Sequence, residues 1–180
     1  MKKKTNIALI FAGGAGSRMR GAKTPKQFLE LGGKTIIAHT INHFEQHPSV
    51  DSIVIVCIES GISLLQQIIK NEHFGKVDAI VSGGSSGQES IFKGLKEIDR
   101  QGFADENTVV LVHDGVRPLI DEATITACIE SVRAKGCTAT VAPAVETIIE
   151  ESNGQVQRVV DRSCCKLSLI HISEPTRQAE

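Results

Sequence analysis

Short β-branched runs alternate with stretches of helical periodicity along most of this chain. Ile7–Ala12, Ser52–Cys57, Val77–Val81, Val109–His113 and Thr138–Ala142 are rich in aliphatic residues and five or six residues long, as strands buried on both faces are. Between them, Thr35–Gln46, Ile62–Asn71, Glu89–Ile98 and Glu122–Ala134 predict helices. In the first of these, Ile37, Ile41 and Phe44 share one face. The β-α-β-α order predicts an α/β fold with a mainly parallel sheet and helices on both of its sides.

The pattern changes near the end of the chain. Val145–Glu150 and Gln155–Val160 alternate on either side of Ser152-Asn153-Gly154. Two alternating runs around Asn-Gly predict a hairpin. It interrupts the α/β rhythm, so it is expected to project as an arm spanning about 143–162. The last stretch, Leu167–Glu180 (LSLIHISEPTRQAE), fits neither a strand nor a helix of the preceding type.

Composition narrows the class. The 180 residues suit one domain, expected over 1–166, with a core that aliphatic side chains must fill, since aromatics are 3% and there is no Trp or Tyr. A formal net charge of -1 gives no reason to expect a nucleic-acid or anionic-membrane partner. The five cysteines are odd in number, form no CxxC pair and are expected to be reduced thiols. The only early apolar run, Ile7–Ala12, is too short for a signal-peptide core, and no stretch is long enough to span a bilayer. The cytoplasm is the expected location.

Three segments that follow strands have the residue types for nucleotide chemistry. Ala12-Gly13-Gly14-Ala15-Gly16-Ser17-Arg18 is glycine-rich, and Arg20, Lys23 and Lys26 lie nearby. Glycines let backbone N–H groups close on phosphate oxygens, and the cations add fixed charge. A glycine turn with solvated charges is the plain alternative. His113-Asp114-Gly115-Val116-Arg117-Pro118 ends the fourth strand. Ligands collect at strand C-terminal ends of open parallel sheets. A carboxylate there suits Mg²⁺ or another divalent cation, which takes one or two carboxylates with phosphate oxygens and water. Otherwise Asp114 is a turn residue, while Arg117 is placed to brace the loop or meet a phosphate. Ser82–Ser90 (SGGSSGQES) offers backbone groups and hydroxyls to a base or ribose, or simply a Ser helix cap. In a parallel sheet all three segments open on one edge, and that convergence is the stronger signal.

Other motifs fail on spacing. A dinucleotide fingerprint needs GxGxxG opening a helix and an acid about 20 residues on. Here Met19 stands where the last glycine belongs, and the second strand ends only near Cys57. A Walker A loop needs GxxxxGK[ST], and Ala22 puts Lys23 one position out, before Pro25. No GxSxG elbow supports a Ser-His-Asp triad. His39, His43 and His47 recur every four residues, but opposite the apolar face, so they are expected on the solvent side without a metal.

AGGAGSRM, PKQF (Pro25–Phe28), GGSSGQES and HDGVRP, in this order, resemble the bacterial cytidylyltransferases that make CDP-methylerythritol and CDP-ribitol. That resemblance covers about residues 5–166. It implies a Rossmann-like sheet of the nucleotide-diphospho-sugar transferase type, with a β-arm exchanged across a homodimer. It also implies CTP and a small polyol phosphate as substrates. On the matching positions, the backbone of Ala12, Gly13, Gly14, Ala15 and Gly16 holds the phosphates, and Arg18 and Lys26 stabilise charge on them during transfer. Gly84, Ser85 and Ser90 hold cytosine and ribose, Asp114 binds Mg²⁺, Gly115 contacts the nucleotide and Arg117 supports the site. Thr147 and Arg162, on the arm, bind the polyol phosphate of the partner's site.

Two positions depart from the pattern. Gly87 stands where many members have Arg, and Gly115-Val116 replaces the Ala-Ala common in the methylerythritol branch. The acceptor implied first is 2-C-methyl-D-erythritol 4-phosphate, the broader branch, and the two departures point to ribitol 5-phosphate as the alternative. A non-catalytic nucleotide-binding fragment is the alternative of another class. The resemblance further implies that members continue well past Lys166. The chain is therefore expected to be C-terminally truncated, with 167–180 a non-native tail that resembles translated adapter sequence.

Overall fold

A computed structural model describes residues 5–12 and 24–171. Four strands, β1 (Asn6–Ala12), β4 (Ser52–Cys57), β5 (Val77–Ser82) and β6 (Val109–Asp114), form a parallel sheet in the order β5-β4-β1-β6. Successive side chains of a strand face opposite ways, and here both ways are core. Ala8, Ile10, Ile53, Ile55 and Leu111 pack beneath Ile37, Ile41 and Phe44 of α1 (Ile36–Gln46), Leu65 of α2 (Ile62–Asn71) and Ile125 and Ile129 of α4 (Glu122–Lys135). Ile7, Leu9, Val54, Val56 and Val112 face the other side, against Ile98 and Leu95 of α3 (Gly87–Arg100). The α/β architecture with helices on both faces is therefore the one expected from the sequence.

The helix ends have local causes. Thr35 caps α1 by accepting from Ala38 N, Ser86 caps α3 by accepting from Glu89 N, and Asp121 caps α4 by accepting from Thr124 N. Gly136, at φ 88°, terminates α4 in a conformation that L side chains rarely adopt. The stretch between the first strand and first helix contains a small hairpin, β2 (Glu30–Leu31) and β3 (Lys34–Thr35), turned by Gly32 and Gly33.

Beyond α4 lie β7 (Ala139–Pro143), β8 (Ile148–Ser152), β9 (Gln155–Val160) and β10 (Lys166–His171). The arm is the β8–β9 hairpin, which begins three residues later than the alternation suggested. Asn153 and Gly154 both have positive φ, 53° and 77°, the requirement of a tight type I′ turn. Val145, Val156 and Val159 are largely exposed.

The expectation that the tail would be neither strand nor helix is corrected over its first residues. Lys166–His171 forms β10, antiparallel to β7, with a register shift between Ser168 and Ile170. β7 offers an open edge, and a neighbouring chain segment satisfies its backbone groups whatever its own propensity.

The three-histidine reading also needs correction. His47 is 2% exposed, and its Nε2 lies 3.1 Å from Thr126 Oγ1. His43 Nε2 lies 2.9 Å from the carbonyl of Pro118, and His39 Nε2 meets that of Leu31. His43 and His47 bridge α1 to the turn after β6 and to α4, which cover that side of the helix, whereas the bond of His39 to Leu31 O is exposed.

Candidate active site

The parallel register brings the relevant strand ends level. Ala12 pairs with Cys57, Cys57 with Ser82, and Phe11 with Asp114. Gly83 N donates to Cys57 O at 2.7 Å and Gly115 N to Phe11 O at 2.9 Å, so both following loops leave the sheet from that edge. Gly115 is demanded by packing: a Cβ there would lie 2.9 Å from Ala12 Cβ. The expected phosphate-loop residues Gly13, Gly14, Ala15 and Gly16, with Arg18, lie outside the described residues.

Lys26 opens a short 3-10 turn, Lys26–Phe28, and is exposed. Its neighbour Gln27 is 2% exposed and donates from Nε2 to Ala12 O at 3.0 Å. Phe28 is buried against Gly61, where an added Cβ would lie 2.7 Å from its ring. These two contacts bind the PKQF segment to the end of β1 through Gln27 and to the turn after β4 through Phe28. Sequence reading missed the role of Gln27, since nothing local distinguishes a buried glutamine from an exposed one.

Asp114 sits within a braced turn. Its Oδ1 accepts from Val116 N at 3.1 Å, and its Oδ2 lies 3.4 Å from Arg117 Nε. Its side chain is 28% exposed. His113, beside it, is buried, with Nε2 at 3.0 Å from Arg117 O and its ring tilted on that of Phe44. Burial keeps the His113 imidazole below its ordinary pKa and thus neutral, and its Nδ1 has no partner. Among the described residues, no three His, Cys, Asp or Glu side chains gather into a metal cluster. A single partly exposed carboxylate fits Mg²⁺ that draws its other oxygens from phosphates and water.

The 83–90 loop is closed by its own side chains. Ser90 is 1% exposed; its Oγ accepts from Gly84 N at 3.0 Å and donates to Ser86 O at 2.9 Å. Ser85 N and Oγ both donate to Glu89 Oε2, at 2.6 and 2.7 Å. Those bonds hold the Glu89 carboxyl below its ordinary pKa, with Lys93 adding a favourable charge. Gly84 packs directly on the Glu89 side chain. Ser90 thus shapes the loop, and Gly84 and Ser85 lie at its surface side. At Gly87 the space where a Cβ would stand is open.

Thr147 precedes β8 and Arg162 follows β9, so they flank the two strands of the arm. Both are exposed, and Arg162 Nη1 donates to Val145 O at 3.1 Å. All five cysteines are free. Burial pushes the Cys57 thiol, at the end of β4, up to about 11. It stays protonated at neutral pH and offers no thiolate nucleophile.

The family model for 2-C-methyl-D-erythritol 4-phosphate cytidylyltransferase (IspD) matches residues 6–174. The chain belongs to the IspD family of cytidylyltransferases. Its relatives divide by acceptor. A ribitol-5-phosphate cytidylyltransferase of Vibrio parahaemolyticus is 45% identical over 164 residues, 91% of this chain and 68% of that protein. A 2-C-methyl-D-erythritol 4-phosphate cytidylyltransferase of Clostridium acetobutylicum is 39% identical over 160 residues, 88% of this chain and 67% of that protein. The chain spans about two thirds of the length of these curated relatives. The crystal structure of a 4-diphosphocytidyl-2C-methyl-D-erythritol synthase superposes with a TM-score of 0.75 at 27% identity, covering 94% of this chain and 74% of that one. Cytidylyltransferases of this family are nucleotidyltransferases, and the fold matches theirs.

Proposed function

We propose that this protein transfers CMP from CTP to the phosphate of a small polyol and releases pyrophosphate. The observation that supports this most is the levelling of Ala12, Ser82 and Asp114 at one sheet edge, with the Lys26 segment tied to Ala12. A phosphate oxygen of the polyol attacks the α-phosphorus of CTP, and the bond to the pyrophosphate oxygen breaks. Both reactants are anions, so positioning and cancellation of charge supply most of the rate. Lys26, with Arg18 from the glycine-rich segment, offsets charge on the phosphates. The strand-end loop presents Asp114 to the divalent cation, which supplies Lewis-acid polarisation of phosphate oxygens when bound. Arg117 limits where the carboxylate moves. Gly84, Ser85 and Gly115 form the nucleotide side of the edge, and Ser90 holds that loop in shape. Cytosol is the compartment in which we place the reaction; among the described residues no helix is long and apolar enough to cross a membrane.

Between the two acceptors, the higher identity to ribitol-5-phosphate relatives, 45% against 39%, favours ribitol 5-phosphate. The family model itself favours 2-C-methyl-D-erythritol 4-phosphate. Pyrophosphate release with CTP and each acceptor in turn separates them. Calorimetry should show CTP preferred over ATP, GTP and UTP, and equal affinity for all four would end the cytidylyl reading.

The arm suggests a homodimer. An isolated two-stranded hairpin is marginal in water, and Val145, Val156 and Val159 are 60–73% exposed. We place this surface against a second subunit, with Thr147 and Arg162 at that subunit's polyol-phosphate position. Mixing the inactive variants Lys26→Ala and Arg162→Ala should then restore part of the activity, since mixed dimers contain one intact composite site. If mass spectrometry shows subunit exchange and activity does not rise, Arg162 acts within its own subunit.

A further inference from the structure

The turn that bears Asp114 is gripped at its carbonyl oxygens. Thr40 Oγ1 lies 3.0 Å from Gly115 O and 3.2 Å from Ile36 O, so its one proton is shared between them with Gly115 the nearer. His43 Nε2 donates to Pro118 O at 2.9 Å and His113 Nε2 to Arg117 O at 3.0 Å. A carbonyl only accepts, so each ring has its proton on Nε2 in this arrangement. Thr40 and His43 are three residues apart on α1, hence neighbours on one helix face. Thr40 is fully buried, so without its hydroxyl the Gly115 carbonyl would lose its interior partner. The next helix residue, Phe44, sets the attitude of the His113 ring, at 5.2 Å between centroids.

The turn's N–H groups are bound internally or to β1: Gly115 N to Phe11 O, Val116 N to Asp114 Oδ1 and Arg117 N to Asp114 O. Beyond Pro118, Leu119 is 95% exposed and anchors nothing. The downstream half of the turn is thus held from α1 at Gly115 O and Pro118 O and from β6 at Arg117 O, ahead of Ile120, which is buried in the core. A cation that takes one protein carboxylate depends on where that single group is kept.

We propose that Thr40 and His43 are positioning residues for the divalent cation, holding the 115–118 backbone so that Asp114 stays in place to bind it. The proposal rests on Asp114 being the metal ligand, and the experiment separates the two. Mn²⁺ binding to the full chain, at saturating CTP without acceptor, is followed by the loss of the free-ion paramagnetic signal. CTP binding without metal and thermal melting are measured in parallel.

Thr40→Val and His43→Leu should each weaken Mn²⁺ binding roughly tenfold, in the range of lost outer-sphere support, with metal-free CTP binding unchanged. Thr40→Ser and His43→Gln, which restore a donor, should recover it. General destabilisation would instead depress both kinds of binding and would not be rescued, and that result overturns the proposal. So does wild-type Mn²⁺ affinity in folded Thr40→Val and His43→Leu while Asp114→Asn abolishes binding. If Asp114→Asn itself binds Mn²⁺ normally, the metal-ligand reading falls first. Should Thr40→Val not fold, the half-buried His43 pair of variants decides the matter alone.

Discussion

Lys26→Ala is expected to slow turnover roughly 30- to 1,000-fold, a barrier increase of about 2–4 kcal/mol, while CTP affinity changes little. That magnitude follows from removing one fixed charge aimed at charge that develops during transfer. The geometry explains why this lysine, among several near the amino-terminal loop, should matter. Pro25 precedes it, Gln27 ties the turn to Ala12 O at 3.0 Å, and Phe28 is sunk against Gly61. Its backbone is thus held beside the end of β1. Steady-state pyrophosphate release gives kcat and KM separately. Unchanged kcat would take Lys26 out of the reaction, and a rise in KM alone would make it a ground-state binding group.

Gly94→Val should destabilise the fold by about 3 kcal/mol, the upper range for overpacking a tight core. Gly94 lies in the middle of α3, where alanine normally improves helix stability by up to about 1 kcal/mol. Here α3 crosses β1 and β4 so closely that a Cβ would run into Leu9 Cδ1 and lie 2.8 Å from Val56 Cγ2. Leu9 and Val56 are both fully buried in the sheet centre and have no room to yield. Packing outweighs propensity, so even Gly94→Ala should lose stability. Gly87→Ala, at the exposed start of the same helix with nothing within 4 Å, should be neutral or slightly stabilising. Urea melts of the three variants test the sign difference. Stability gained by both alanine variants would mean that α3 does not pack this closely.

Local chemistry made much of this visible in the sequence. Four of the five strands expected to be buried and all four helices are found within a few residues of their expected bounds, because aliphatic runs and helical periods depend on near neighbours. The fifth run, Thr138–Ala142, is β7, which is half exposed and lies outside the parallel sheet. Ser86 and Asp121 cap helices and Asn153-Gly154 turns the arm, for equally local reasons. The motifs that mark the cytidylyltransferase family are continuous stretches, so they too were legible.

What the sequence left undetermined depends on partners far along the chain. Thr40 and Gly115 are 75 residues apart, and no local pattern shows that a helix threonine will hold a carbonyl of the loop after β6. His47 belongs to a regular series of histidines but is buried, because α4 covers it through Thr126, 79 residues on. Lys166–His171 is a strand because β7 presents an open edge to it, although its own composition gives no such signal. Sequence by itself determined the sheet strands, the four helices, the arm hairpin and the family, since period, turn chemistry and contiguous motifs are properties of neighbouring residues. Tertiary structure alone decided which polar groups are buried, which backbone groups they satisfy and how closely α3 meets the sheet, because desolvation and close packing arise only when distant segments meet.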